Sequence, residues 1–175
     1  TGNTWVCVEK RRSCVVILAN DVRAEAGFPR LVKFLLGETG AAWVVASMGS
    51  SAVLLYAVPH GALSQPWAVI VGHVVSAFVG VTCVKLVPDP ILAAGLAVGL
   101  AIGAMHYLRA IHPPGGATAM TAVVAGPQVH DLGYQFVLTP VLANSAIMVA
   151  IAVAFNAAFH WRRYPAALGK ARTAS

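Results

Sequence analysis

The chain has 175 residues and a net charge of +6, with 58% hydrophobic and 10% charged residues and a mean hydropathy of +0.75. Soluble domains carry about 25% charged residues, so this chain lacks the polar surface to cover itself in water, and a bilayer is its expected solvent. Its basic residues form no stripe interleaved with aromatics, which argues against a nucleic-acid partner.

Residues 1–36 read as a basic N-terminal segment carrying Lys10, Arg11, Arg12, Arg23, Arg30 and Lys33. The apolar stretch "CVVILA" (Cys14–Ala19) is short and stops at Asn20-Asp21, so it makes no clean signal peptide. The following "NDVRAEAGFPRLVKFLLGETG" (Asn20–Gly40) holds Asp21, Arg23, Glu25, Arg30, Lys33 and Glu38. It does not qualify as a spanning helix. The expectation is a degraded or absent first helix, or a short basic piece lying on the membrane surface.

Four apolar runs follow that are long enough to cross a hydrocarbon core, which takes roughly 17–25 helical residues. Run A covers Ala41–Val58, run B Pro66–Val87, run C Ile91–Ile111 and run E Val137–Phe159. Between C and E lies run D, Gly116–Ala125, which as a helix reaches only about 15 Å, half a bilayer. The turn signals "PHGALSQP", "PDP" and "GPQVHDLG" separate the runs. The last basic residues, Arg162, Arg163, Lys170 and Arg172, flank run E or lie in a polar tail at 164–175. Basic ends place both termini on one side of the membrane, which demands an even number of crossings. Four full spans with D re-entrant or broken satisfy this. The expected fold is an all-α, polytopic transmembrane helical bundle, with the membrane domain at 37–163.

Small residues predict how the helices pack. Run C has Gly95, Gly99 and Gly103; run B has Gly72, Ser76 and Gly80 at the same spacing. Such rows let helix backbones approach in lipid, so B is expected to pair with C. A weak internal repeat relates "MGSSAVLLYAVP" (Met48–Pro59) to "GGATAMTAVVAGP" (Gly115–Pro127), at an offset of about 67 residues.

The chemistry-bearing residues gather around "HPPGGATAM" (His112–Met120). Pro113 and Pro114 fit a helix's first turn, where a missing N–H costs nothing. Gly115 and Gly116 keep the backbone open. The helix that starts here offers unpaired N–H groups and partial positive charge. Thr118 adds a hydroxyl, His112 a titratable ring, and Arg109 a full charge. Together they make a candidate site for a small anion. Ser50 and Ser51 in run A form a related break that faces it if the repeat holds. His73 in run B is a further candidate, with a purely structural hydrogen-bonding role as the alternative. His106, Asn144 and Ser145 read as interfacial or helix-stapling groups.

Other chemistries find little support. The cysteines Cys7, Cys14 and Cys83 have no paired spacing, and the histidines show no metal-ligand spacing, so neither disulfide, metal nor other cofactor is expected. There is no Gly-x-Ser-x-Gly, His-Glu-x-x-His or phosphate loop, so no enzyme is expected. None of the six carboxylates lies within runs A to E, which disfavours a carboxylate-driven proton pump.

The blocks "ASMGSSAVLLYAVP", "SQPWAVIVGH" and "PDPILAAGLAVGLAIGAMHYLRAIHPPGGATAM" resemble the HPP family of integral membrane proteins, over roughly Gly37–Arg163. The family takes its name from the motif that here is His112, Pro113 and Pro114. The resemblance implies four transmembrane helices. Because plastid and cyanobacterial relatives are linked to nitrite transport, it also implies a small-anion transporter with nitrite the named candidate. Some family members carry C-terminal regulatory domains; none is expected in the tail read here. The expected partners are the lipid bilayer, a small anion and further copies of the chain. The expected location is a bacterial inner membrane or, alternatively, a plastid envelope. A non-transporting scaffold or sensor domain is the rival function.

Overall fold

A computed structural model describes residues 41–157 and 164–166. The expectations for residues 1–36 and for most of the tail lie outside the described residues. Among those described, every regular element is helical.

α1 covers Ala41–Ala57, and its 17 residues reach about 26 Å. A 3-10 turn at Ala62–Ser64 leads into α2, Pro66–Leu86. Pro66 stands in the first turn of α2, where its missing N–H leaves nothing unpaired. α3 spans Pro90–Tyr107 and is capped by Asp89, whose carboxylate accepts a hydrogen bond from the Leu92 N–H at 2.7 Å. α4 runs Pro113–Val124, starting three residues earlier than expected because Pro113, Pro114 and Gly115 enter its first turn. Its 12 residues cover about 18 Å, so it remains a half-span. The short α5, Pro127–Leu132, links it to the last span.

That span starts with a π-type turn, Val137–Leu142, and continues as α6, Ala143–Ala157. The irregularity sits at Thr139-Pro140: Thr139 is non-helical, and Pro140 has no N–H to continue the ladder. Among the described residues, three stretches are long and apolar enough to cross a membrane, namely Pro66–Leu86, Pro90–Tyr107 and Val137–Ala157.

α2 is the central helix and packs against α3, α4 and the last span. It does pair with α3, as the small-residue rows predict, but the glycines of α3 are not the contact. Gly95, Gly99 and Gly103 face open space. The buried row is Ala93, Ala97, Ala101 and Met105, on the opposite side of the helix. Both rows repeat every four residues, and the alanine methyls fill the seam that bare glycines would leave empty. The outward face carries Leu92, Leu96 and Leu100, suited to lipid rather than water.

The glycines of α2 are used, chiefly against α4. A Cβ on Gly80 would lie 2.6 Å from the Ala119 carbonyl oxygen and 2.7 Å from the Ala122 methyl. A Cβ on Gly72 would lie 2.7 Å from the His112 Cβ. Gly115 of α4 is equally tight, with Ser76 Oγ 2.8 Å from its Cβ position. Glycine on both helices is what lets the start of α4 press into α2, and that contact positions the site.

Candidate functional site

The His-Pro-Pro turn ends α3 and starts α4. Arg109 takes φ 51°, a left-handed conformation that closes the end of α3. His112 is extended and precedes the two prolines. The Gly115 N–H bonds back to the His112 carbonyl at 2.8 Å. Since Pro113 and Pro114 have no N–H, the first turn of α4 holds fewer free backbone donors than a general helix start.

The side chains make the site. His112, His73, Ser51 and Thr118 are all buried and lie in one chain of contacts. The His112 Nδ1 lies 2.8 Å from the Leu63 carbonyl oxygen. Its Nε2 lies 2.8 Å from Ser51 Oγ. Ser51 Oγ is also 2.8 Å from His73 Nε2. The His73 Nδ1 in turn lies 2.8 Å from Thr118 Oγ1. The two rings meet edge to face, with centroids 4.9 Å apart. Among the described residues, no buried side-chain polar atom lacks a partner. That satisfaction matters in an apolar span, where an orphaned polar group costs about 1–3 kcal/mol or more.

Donor and acceptor roles follow from the partners. A carbonyl oxygen only accepts, so Nδ1 of His112 carries hydrogen and donates to Leu63. With both rings neutral, Nε2 of His112 is then bare and accepts from the Ser51 hydroxyl at 2.8 Å, a shorter contact than the 3.1 Å from that hydroxyl to the Ser47 carbonyl. Ser51 has no second hydrogen, so His73 donates to it through Nε2. Nδ1 of His73 is left to accept from Thr118. The run from Thr118 through His73, Ser51 and His112 to the Leu63 carbonyl therefore has one polarity.

The Leu63 carbonyl belongs to a braced loop. Ser64 Oγ donates to the Leu54 carbonyl at 3.1 Å, and the Gln65 amide donates to the carbonyls of Pro59 and Gly61. From residues 164–166, the Tyr164 hydroxyl donates to the Ser64 carbonyl at 3.0 Å, and the Ala166 N–H donates to Gln65 Oε1. Burial pushes the Tyr164 phenol up to about 12, with Tyr56 adding to the shift.

The sequence-predicted residues divide into two groups. His112, Thr118, Ser51 and His73 come together; Pro114 and Gly115 are buried behind them. Ser50 points away, exposed and bonded to the Ser47 carbonyl. Arg109 and Pro113 are exposed, and Gly116 and Pro113 border an apolar cavity between α3 and α4 lined also by Val98, Ile102 and Met105. Two participants escape sequence reasoning: the Leu63 carbonyl, and Gly72, whose missing Cβ admits His112.

The internal repeat has a geometric counterpart. Its offset of 67 maps Ser51 onto Thr118, since 118 − 51 = 67. These two hydroxyls take the two ring nitrogens of His73, one each. Each also lies near the carbonyl four residues earlier, Ser47 for Ser51 and Pro114 for Thr118.

Long apolar helices around a broken half-span, with a polar cluster buried between them, define an all-helical, polytopic integral membrane protein. Residues 16–165 match the family described as HPP, transmembrane region, and the chain belongs to that family. It is 38% identical over 127 residues to a transmembrane protein of Dictyostelium discoideum, covering 70% of this chain and 40% of that protein. A second Dictyostelium transmembrane protein is 36% identical over 126 residues, covering 70% of this chain and 44% of the relative. The chain thus spans less than half the length of these curated relatives. No solved structure matches it.

Proposed function

We propose that the protein transports a small monovalent anion across its membrane, with nitrite the leading candidate. The observation that carries this is the buried cluster of His112, His73, Ser51 and Thr118, placed where α1, α2 and the half-helix α4 meet. Ionisable groups inside apolar spans are costly, and broken helices at membrane depth mark substrate sites in many transporters. An oxyanion would take the Ser51 and Thr118 hydroxyls from their present acceptors, and His112 would offer it Nε2 as a donor once protonated, while Gly115 serves the close packing of α4 on α2 that holds these groups in place. Arg109 is exposed at the end of α3, and its proposed part is long-range attraction for the anion rather than a contact. The working unit is proposed to be an oligomer, because so few membrane-length helices rarely enclose a pathway alone. No enzymatic role is proposed.

One observation favours a second reading. The cluster satisfies its own hydrogen bonds, which suits a non-transporting scaffold in which the turn only joins helices. Thermal unfolding in nanodiscs separates the two. A ligand that binds the native state stabilises it by RT ln(1 + [L]/Kd), about 2.7 kcal/mol at a hundredfold excess over Kd. Transport predicts a nitrite-dependent rise in Tm that chloride does not match. A scaffold predicts no anion-specific rise.

A further inference from the structure

We propose that Thr118, His73, Ser51 and His112 form a proton-binding relay, which holds one excess proton and passes it between the two rings through the Ser51 hydroxyl. The neutral cluster has four polar hydrogens, which fill the four 2.8 Å contacts ahead of the longer ones from Ser51 to the Ser47 carbonyl (3.1 Å) and from Thr118 to the Pro114 carbonyl (3.4 Å), and the Leu63 carbonyl then fixes a single direction.

One more proton fits without leaving any contact unsatisfied. It binds Nδ1 of His73, whose N–H then donates to Thr118 Oγ1. Thr118 turns its own hydrogen to the Pro114 carbonyl, 3.4 Å away. From there the charge moves by two linked transfers. The Nε2–H bond of His73 breaks, its electron pair stays on nitrogen, and the proton forms a new O–H bond on Ser51. The original Ser51 O–H bond breaks, and that proton forms an N–H bond at Nε2 of His112. The positive charge passes from one ring to the other, and no heavy atom needs to move.

A second proton does not fit. The rings lie 4.9 Å apart, and no anionic side chain faces them. Among the described residues the only acids are Asp89 and Asp131, both exposed. Around the rings α1 presents Ser47 and Ser51, α2 presents Gly72 and Ser76, and α3 presents the Met105 thioether. α4 presents Thr118, and the α1–α2 loop the Leu63 carbonyl. The π-type turn and α6 contain no charged or titratable side chain. Arg109, three residues before His112, is exposed, and the two rings are in direct contact with each other, so the pair binds protons in two separated steps.

The test needs no anion and so stands apart from the transport proposal. The full chain, 15N-labelled at histidine and placed in lipid nanodiscs, is examined by ring-nitrogen NMR across a pH titration. The relay predicts opposite neutral tautomers, hydrogen on Nδ1 in His112 and on Nε2 in His73. On acidification one proton is shared by both rings, and a second binds at least tenfold more weakly. Ser51→Ala confines the first proton to one ring, whereas Ser51→Thr, which keeps the hydroxyl and serves if the alanine variant does not fold, retains sharing. Identical tautomers, two equal and independent titrations, or sharing that survives loss of the hydroxyl would overturn the proposal. Loss of anion flux with these signatures intact would count against transport alone.

Discussion

Gly80 gives the most direct check on how the half-helix is seated. Adding a methyl there places a carbon 2.6 Å from a backbone carbonyl oxygen and 2.7 Å from the Ala122 methyl. Ordinary contacts between such atoms begin near 3.5 Å, so α2 and α4 must part by about 1 Å. Neither neighbour is a flexible side-chain tip. The overpacking cost therefore falls toward the upper end of the usual range, about 3 kcal/mol. Replacing a helical glycine by alanine returns about 1 kcal/mol in propensity. The net loss for Gly80→Ala is about 2 kcal/mol, or a fall in Tm of roughly 4–8 °C for a chain of this size. Gly99→Ala provides the control. Nothing lies within 4 Å of its Cβ position, so only the propensity gain remains and Tm holds or rises slightly. Both variants are compared by tryptophan fluorescence on heating in one detergent. Equal shifts, or a stable Gly80→Ala protein, would refute the close α2–α4 packing.

The remaining predictions use the same assay unless stated. Ser51→Ala leaves Nε2 of each histidine without its present partner, at about 1–3 kcal/mol per buried group, so Tm falls and anion uptake weakens. Thr118→Val keeps the side chain's shape but removes the bond to His73 and destabilises by a similar amount, whereas Thr118→Ser retains most of the stability. Asp89→Ala removes the α3 cap and costs about 0.5–2 kcal/mol, while Asp89→Asn costs little. Tyr164 favours its neutral form in the folded protein, so its contribution is complete below pH 10 and is lost as pH rises toward about 12. Tyr164→Phe lowers Tm at neutral pH and flattens that alkaline limb.

Much of the architecture was legible because apolar length and turn chemistry are local properties. Pro66, Pro90 and Pro113 mark helix starts in the sequence and in the structure alike. The half-length of α4 follows from residue count alone. Orientation was not legible. Two small-residue rows run along α3, and periodicity cannot tell which faces inward; side-chain volume decides it, and the alanines fill the seam. The site was legible in part. His112 and Thr118 stand in one motif, and the internal repeat points to the Ser50-Ser51 pair without choosing between them. That His73 sits at the centre depends on contacts across 22 and 45 residues, which no local pattern encodes. The Leu63 carbonyl leaves no trace in residue type, because any residue carries one. Arg109 and Ser50 drew attention by charge and proximity, yet backbone geometry turns both outward.

Flux tests transport of a small anion through the His112 cluster most directly. Purified protein in liposomes is assayed for nitrite entry against nitrate, chloride and formate, with and without a pH gradient. The expected result is saturable entry selective for nitrite that His112→Ala abolishes in protein shown to be folded. Absence of flux for every anion from folded wild-type protein, or entry unchanged by His112→Ala, would contradict it.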